Sequence, residues 1–460
     1  MIDYSETAVK QWFTRRSLFT AQESKGPEAL SYLQTLANEA MIGDAAYHFA
    51  AFIAQQASKC KTRKIERGEI NLLLLLVARL MEQLQQGDSC LVLDGLLPAE
   101  LLYVDDGLWS VRRETPKLPD HQLWLETMAQ IPLVAVANSD LSIAEERPLV
   151  LFGQRLYLNR YFAYERQLCT RVKQSVIRHD ECKDTQSKWY EVVKDHEIHT
   201  VLDTLFVSRE ATNETDWQRE AVANSLTKPF AVITGGPGTG KTTTVVKLLV
   251  ALVTLHHNAA KEQTCADKRL NIRLAAPTGK AALRLAESIS GSVIKLGLNE
   301  SVSEFIPNTA QTIHRMLKPR GQHGFFHNKY QPLVADVVIL DEASMVDLSL
   351  MAKLVDALPA HCQLILLGDR EQLTSVEAGN VLAEICASQA MAKSSYVTEL
   401  QKSWRFDGAS GIGKLAHAIK TGDLSTSQRL LANAARTQDI RWLNGSESEF
   451  YQLMEMVIQH

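Results

Sequence analysis

The segment Gly235-Gly236-Pro237-Gly238-Thr239-Gly240-Lys241-Thr242 constrains this chain more than any other. It follows the apolar run Phe230-Ala231-Val232-Ile233 and opens into Thr243-Thr244-Val245-Val246-Lys247-Leu248-Leu249, so it joins a strand to a helix. A glycine-rich loop ending in Lys-Thr at a helix N-terminus is the Walker A phosphate cradle. Glycine lets successive N–H groups turn inward with no Cβ in the way, and the helix dipole adds positive potential at the same point. The pattern predicts that residues 235–243 bind a nucleoside triphosphate. Lys241 would reach the β- and γ-phosphates and the Thr242 hydroxyl would hold Mg²⁺. A bare Gly-x-Gly carries none of this.

At 460 residues the chain exceeds one hydrophobic core. Its 45% hydrophobic and 22% charged content is that of a globular protein. The N-terminal stretch Met1 to Arg16 has no sustained apolar segment of the signal-peptide kind. The longest apolar run, Leu72 to Ala78, is too short to cross a bilayer and predicts a buried helix over 70–84. No membrane association is expected. Seven cysteines without a C-x-x-C pair argue against a zinc site or disulfide framework and suit a reducing cytoplasm. The net charge of -4 excludes nucleic-acid binding through a globally basic surface, leaving local grooves or a basic partner.

Residues 1–110 read as a helical domain, with Leu30, Leu33, Leu36 and Ala37 at helical spacing. Residues 111–198 read as a mixed α/β connecting region. Before it, Asp105-Asp106-Gly107 fits a hairpin turn; within it, residues 148–158 form two short strands leading into a helix over 161–172, and 173–197 form a charged linker. From about residue 200, short strands apolar on both faces alternate with helices: 231–234, 272–276, 336–340 and 363–367. That is the pattern of a buried parallel sheet whose functional loops lie at the strands' C-terminal ends. Residues 256–270 are polar and read as a surface loop.

Other candidate residues sit at those strand ends. Val337-Val338-Ile339-Leu340-Asp341-Glu342 is an apolar strand ending in two acids, the Walker B arrangement. Asp341 would hold Mg²⁺ through water, and Glu342 would orient and deprotonate an attacking water. Taken alone the pair also reads as a solvated strand end. The next strand ends in Gly368-Asp369-Arg370-Glu371-Gln372-Leu373; alone it is a polar turn, but the Gln372 amide can both donate to phosphate and accept from water. Pro277-Thr278-Gly279-Lys280 can bind a backbone phosphate through helix N-terminal N–H groups or serve only as a cap. Thr312-Ile313-His314-Arg315 reads alone as a buried amphipathic helix. Between these and Walker B, residues 318–330 interleave basic and aromatic side chains, which suits single-strand contact and equally a solvated loop.

In their order these blocks resemble the RecD branch of superfamily 1 helicases, with specific motifs over residues 200–430 and weaker likeness over 148–168. The resemblance implies a RecA-like P-loop motor domain over 199–392 and the start of a second, incomplete one over 393–460. It assigns γ-phosphate sensing to Gln372 and DNA contacts to Thr278, Gly279, Thr312 and His314. Asp216-Trp217-Gln218-Arg219 resembles the Q motif, in which Gln218 would pair with adenine and select ATP. Leu400-Gln401-Lys402-Ser403-Trp404-Arg405-Phe406 resembles motif IV, in which Arg405 would be an arginine finger.

The resemblance also implies 5′ to 3′ movement on one strand of a DNA end. The partners would be the beta and gamma subunits of exodeoxyribonuclease V, with residues 1–110 docking on gamma. Stand-alone RecD-like helicases carry N-terminal helix-hairpin-helix repeats; the seven glycines before residue 200 form no Gly-x-Gly pair, which favours the heterotrimer subunit. No separate nuclease constellation is recognisable. The two blocks expected after motif IV are not recognisable before His460, so the sequence reads as a fragment whose 460 residues alone would bind nucleotide but turn over poorly. The alternatives are a stand-alone helicase, or a P-loop ATPase or assembly subunit without translocation.

Overall fold

The computed structural model describes residues 28–102, 116–181, 194–206, 215–261, 270–296, 300–321, 324–372, 375, 377–401, 410–433 and 439–440. Two compact units emerge. The first comprises residues 1–174 with 345–357 and 374–381; the second comprises 175–344, 358–373 and 382–460.

In the first unit, helices α1 (Glu28–Asn38), α2 (Asp44–Ser58) and α3 (Arg67–Gln86) pack together. Leu72 to Ala78 of α3 are fully buried, as an all-round apolar segment requires. Glu69 caps the helix start by accepting from the Glu66 N–H at 2.9 Å, and Gly87, at φ 101°, ends it in the left-handed region. Fully buried Asn71 joins α3 to α1, its Oδ1 accepting from the Ala29 N–H at 3.1 Å and its Nδ2 donating to the Lys117 carbonyl at 3.1 Å.

A four-stranded sheet follows, formed by β1 (Leu91–Val92), β2 (Val134–Val136), β3 (Leu149–Phe152) and β4 (Arg155–Leu158) in the order β1-β4-β3-β2. Helix α4 (Trp124–Gln130) lies between β1 and β2 in sequence. The expected strand pair is β3 and β4, turning at Gly153 (φ 56°). Helix α5 (Asn159–Glu181) begins where expected but runs through most of the first half of the predicted linker. Residues 105–107, the expected hairpin turn, lie outside the described residues.

The second unit contains α6 (Asp195–Leu205), α7 (Trp217–Thr227) and a six-stranded parallel sheet. Its strands are β5 (Phe230–Gly235), β6 (Ile272–Ala276), β7 (Ala310–Thr312), β8 (Val337–Leu340), β9 (Gln363–Gly368) and β10 (Val397–Leu400), in the order β10-β5-β9-β8-β6-β7. Residues of β5, β8 and β9 are buried throughout, as the two-faced apolar runs require. Between strands lie α8 (Lys241–Lys261), α9 (Gly279–Leu296) and α10 (Ile313–Leu317); α11 (Gly411–Lys420) and α12 (Leu424–Ala432) follow β10.

Three differences from the sequence expectations stand out. Residues 256–261 continue α8 rather than opening a loop, because Leu255 and Ala259 keep its apolar face buried. Strand β7 lacks a long apolar run. Strand β10, C-terminal to the boundary expected at 393, is hydrogen-bonded into the same six-stranded sheet, with Leu400 opposite Gly235. Among the described residues no helix is long and apolar enough to cross a membrane.

Candidate nucleotide site at the strand ends

From β5 the chain crosses to β6 and the edge strand β7 and returns through β8 to β9, whereas from β9 it crosses past β5 in the opposite sense to reach β10. The crevice at the C-terminal ends of β5 and β9 is therefore a topological switch point, where open α/β sheets bind ligands. The cradle leaves β5 there. Gly238 and Gly240 adopt φ of 77° and 85°, which lets the loop reverse direction into α8. Thr239 braces the loop from within, its Oγ1 donating to the Gly236 carbonyl at 2.9 Å. The Lys241 ammonium lies inside the same loop, donating to the Gly235 carbonyl at 2.5 Å and the Gly236 carbonyl at 3.2 Å. Pro237 and Thr243 are exposed, and Thr242 is half-buried in the first turn of α8.

Gln218 reaches the cradle from α7, donating to the Thr239 carbonyl at 3.2 Å. Asp216 fixes the start of that helix by accepting from the N–H groups of Gln218 and Arg219 at 3.0 and 3.1 Å. The predicted Q-motif residue and phosphate loop are thus in direct contact.

At the end of β8, Asp341 is largely buried. Burial first, and then the neighbouring Glu342 charge, push its carboxyl up to about 6, opposed by the Glu342 N–H and the Lys241 ammonium. Glu342 has φ 52°, a left-handed conformation that costs a non-glycine residue on the order of 1 kcal/mol. Its Oε2 is buried with no hydrogen-bond partner among the described residues. A strained backbone and an orphaned carboxylate oxygen are features that folds tolerate mainly where a site requires them. No sequence pattern announces that backbone conformation.

At the end of β9, Asp369 folds the chain into a tight turn. Its Oδ1 accepts from the Glu371 N–H at 3.0 Å and its carbonyl accepts from the Gln372 N–H at 3.2 Å. Gln372 is thereby fixed beside the cradle-bearing strand, since Gly368 pairs in register with Thr234. Leu373 and Arg405 lie outside the described residues.

The donor set fits a nucleotide phosphate with a hard divalent cation: backbone N–H groups, an ammonium, a threonine hydroxyl, a carboxylate, and a buried oxygen with no hydrogen-bond partner among the described residues.

The expected DNA residues lie on the neighbouring strands. Ala276 of β6 pairs with Thr312 of β7, so Thr278 and Thr312 lie close to adjacent strand ends. Both act as caps: Thr278 Oγ1 accepts from the Ala281 N–H and Thr312 Oγ1 from the Arg315 N–H, each at 3.2 Å. Gly279 and His314 are exposed, while Ile313, Met316 and Leu317 are buried, as an amphipathic helix requires. Beyond α10, Pro319 forms an antiparallel bridge with Phe325, and Asn328 forms a separate one with Gln331. Lys318 and Arg320 both lie 5.6 Å from the Phe326 ring centroid, and Lys329 lies 5.0 Å from that of Tyr330, which is 81% exposed.

Two family descriptions match the chain: "RecBCD enzyme subunit RecD, N-terminal domain" over residues 38–157 and "AAA domain" over 218–378. The RecBCD enzyme subunit RecD of Haemophilus influenzae is 32% identical over 94% of this chain and 68% of its own length. That of Mycolicibacterium smegmatis is 37% identical over 75% of the chain and 55% of its own length. The ATP-dependent RecD2 DNA helicase of Deinococcus radiodurans is 34% identical over 42% of the chain and 22% of its own length. The chain thus spans between about half and two thirds of the RecD relatives it matches.

Proposed function

The chain belongs to the RecD family of RecBCD enzyme subunits, and from that premise we propose that the complete protein is an ATP-dependent 5′ to 3′ DNA helicase subunit acting at double-strand ends. The observation that carries the proposal is the convergence of the Lys241 cradle, the orphaned Glu342 carboxylate and the Gln372 turn on the ends of three strands of one sheet. A phosphate-binding loop alone would serve any nucleotide switch. A glutamine held at the neighbouring strand end also lets the occupied site be read out toward a second ligand.

In this reading residues 235–243 bind the phosphates, Gln218 reads the adenine, and Thr242 with Asp341 hold Mg²⁺. The cation, when bound, neutralises charge on the transferring phosphoryl group. Lys241 exchanges its two carbonyl partners for phosphate oxygens. Glu342 orients water and takes its proton at Oε2, and Gln372 hydrogen-bonds the γ-phosphate. Arg405 contributes positive charge toward the γ-phosphate. Gly279 and His314, with the Thr278 and Thr312 caps, meet the DNA backbone, and the segment 324–331 offers Tyr330 and Phe326 for base stacking.

We assign residues 1–110 to docking on the gamma subunit, and the part of 393–460 beyond β10 to the second motor domain. The test is unwinding of duplexes carrying a 5′ or a 3′ single-stranded tail by the complete protein. The 5′-tailed duplex should open with ATP, and Lys241→Gln should abolish the activity. Unwinding from the 3′ tail alone, or persisting in Lys241→Gln, would overturn the assignment.

A further inference from the structure

Arg370 lies in the turn between Asp369 and Gln372, and nothing in the proposed chemistry uses it. Its backbone N–H donates to Thr234 Oγ1 at 3.4 Å, one residue before the cradle. Its guanidinium lies 3.4 Å from Glu399 of β10 and 3.6 Å from Glu371. Lys420, at the end of α11, completes the group at 3.2 Å from Glu371 and 3.9 Å from Glu399. Each acid therefore touches both cations and each cation touches both acids.

The arrangement spans the ends of three adjacent strands. Thr234 of β5 pairs in register with Gly368 of β9 on one side and Glu399 of β10 on the other. It also reaches α11, whose start is held by the Ser410 hydroxyl and the Asp439 carboxylate. The four side chains are 35–47% exposed, and ion pairs that open to water add little to folding stability. Their geometry is more informative. In sequence, β10 and α11 flank residues 402–409, which contain Arg405, and both are tied to the turn that presents Gln372.

We propose that Arg370 is a positioning residue, fastening β10 and α11 to the Gln372 turn through Glu399, Glu371 and Lys420, so that the γ-phosphate sensor Gln372 is held in place at the end of β9. This inference rests on the function proposed above. It assigns a role to four side chains that the proposed chemistry leaves unused.

The test uses Arg370→Gln, Glu399→Gln and the double variant in the complete protein. Each single variant should lower DNA-stimulated kcat about tenfold while KM for ATP stays within about twofold, as expected when coupling rather than ground-state binding is lost. The double variant should be no slower than the slower single variant, and Arg370→Lys should recover part of the rate. In nucleotide-free protein, amide exchange of peptides covering 411–420 should accelerate in Arg370→Gln while that of β5 and β8 is unchanged. Unchanged kcat and exchange, or additive effects of the two single variants, would overturn the proposal. If wild-type protein fails to hydrolyse ATP, the function proposed above fails, and the exchange measurement alone still decides whether Arg370 holds α11.

Discussion

Replacing Glu342 by Gln should separate catalysis from stability. In the folded chain Glu342 combines a left-handed backbone with a buried carboxylate oxygen that has no partner among the described residues. The amide keeps the shape and the backbone cost but removes the buried charge. A neutral unsatisfied polar atom costs about 1–3 kcal/mol, less than a charged one. Unfolding free energy should therefore hold constant or rise by up to about 1 kcal/mol. Loss of a positioned general base removes about 10²–10⁴-fold in rate. That corresponds to roughly 3–5 kcal/mol of barrier. Steady-state ATP hydrolysis with single-stranded DNA gives the rate, thermal or urea unfolding gives the stability, and a fluorescent nucleotide checks that binding survives. Turnover within about threefold of wild type would refute the assignment of Glu342 as base. A stability loss above about 1 kcal/mol would refute the claim that its oxygen is held for chemistry.

Lys241→Gln should abolish ATP turnover while leaving the circular dichroism spectrum and cooperative unfolding intact; persisting turnover would remove the cradle from the mechanism. Asn71→Ala should destabilise the first unit by about 2–3 kcal/mol, because it strands the buried Ala29 N–H and removes the partly buried bond to the Lys117 carbonyl. Urea unfolding followed by a probe in residues 28–102 reads this, and a change under about 0.5 kcal/mol would contradict it. Tyr330→Ala should weaken single-stranded DNA binding by about 1–3 kcal/mol, the value of one base stack, measured by fluorescence anisotropy at fixed salt. Unaltered affinity would make the segment bearing Tyr330 a solvated loop.

The cradle and the central strands were legible because they join strong local signals: glycine and Lys-Thr chemistry at one end, apolar runs on both faces at the other. Strands β7 and β10 were not, since Ala310–Thr312 and Val397–Leu400 are short and partly polar, and only pairing with β6 and β5 makes them strands. Glu399 shows how that hides function. Its place opposite Thr234 follows from sheet register, so its contact with Arg370 has no trace in either residue's neighbourhood in sequence. Helix α8 outran its prediction because burial of Leu255 and Ala259 outweighs the polar histidines around them. The Walker B acids were readable as a pair, whereas the orphaned oxygen of Glu342 depends on burial by distant elements.

The central claim is that the site at the ends of β5, β8 and β9 drives a DNA motor rather than a nucleotide switch. Its most direct measurement is ATP hydrolysis by the complete protein with and without single-stranded DNA. The account predicts that DNA raises the rate and that Lys241→Gln removes both the basal and the stimulated activity. A rate indifferent to DNA, with nucleotide still bound at Lys241, would contradict it.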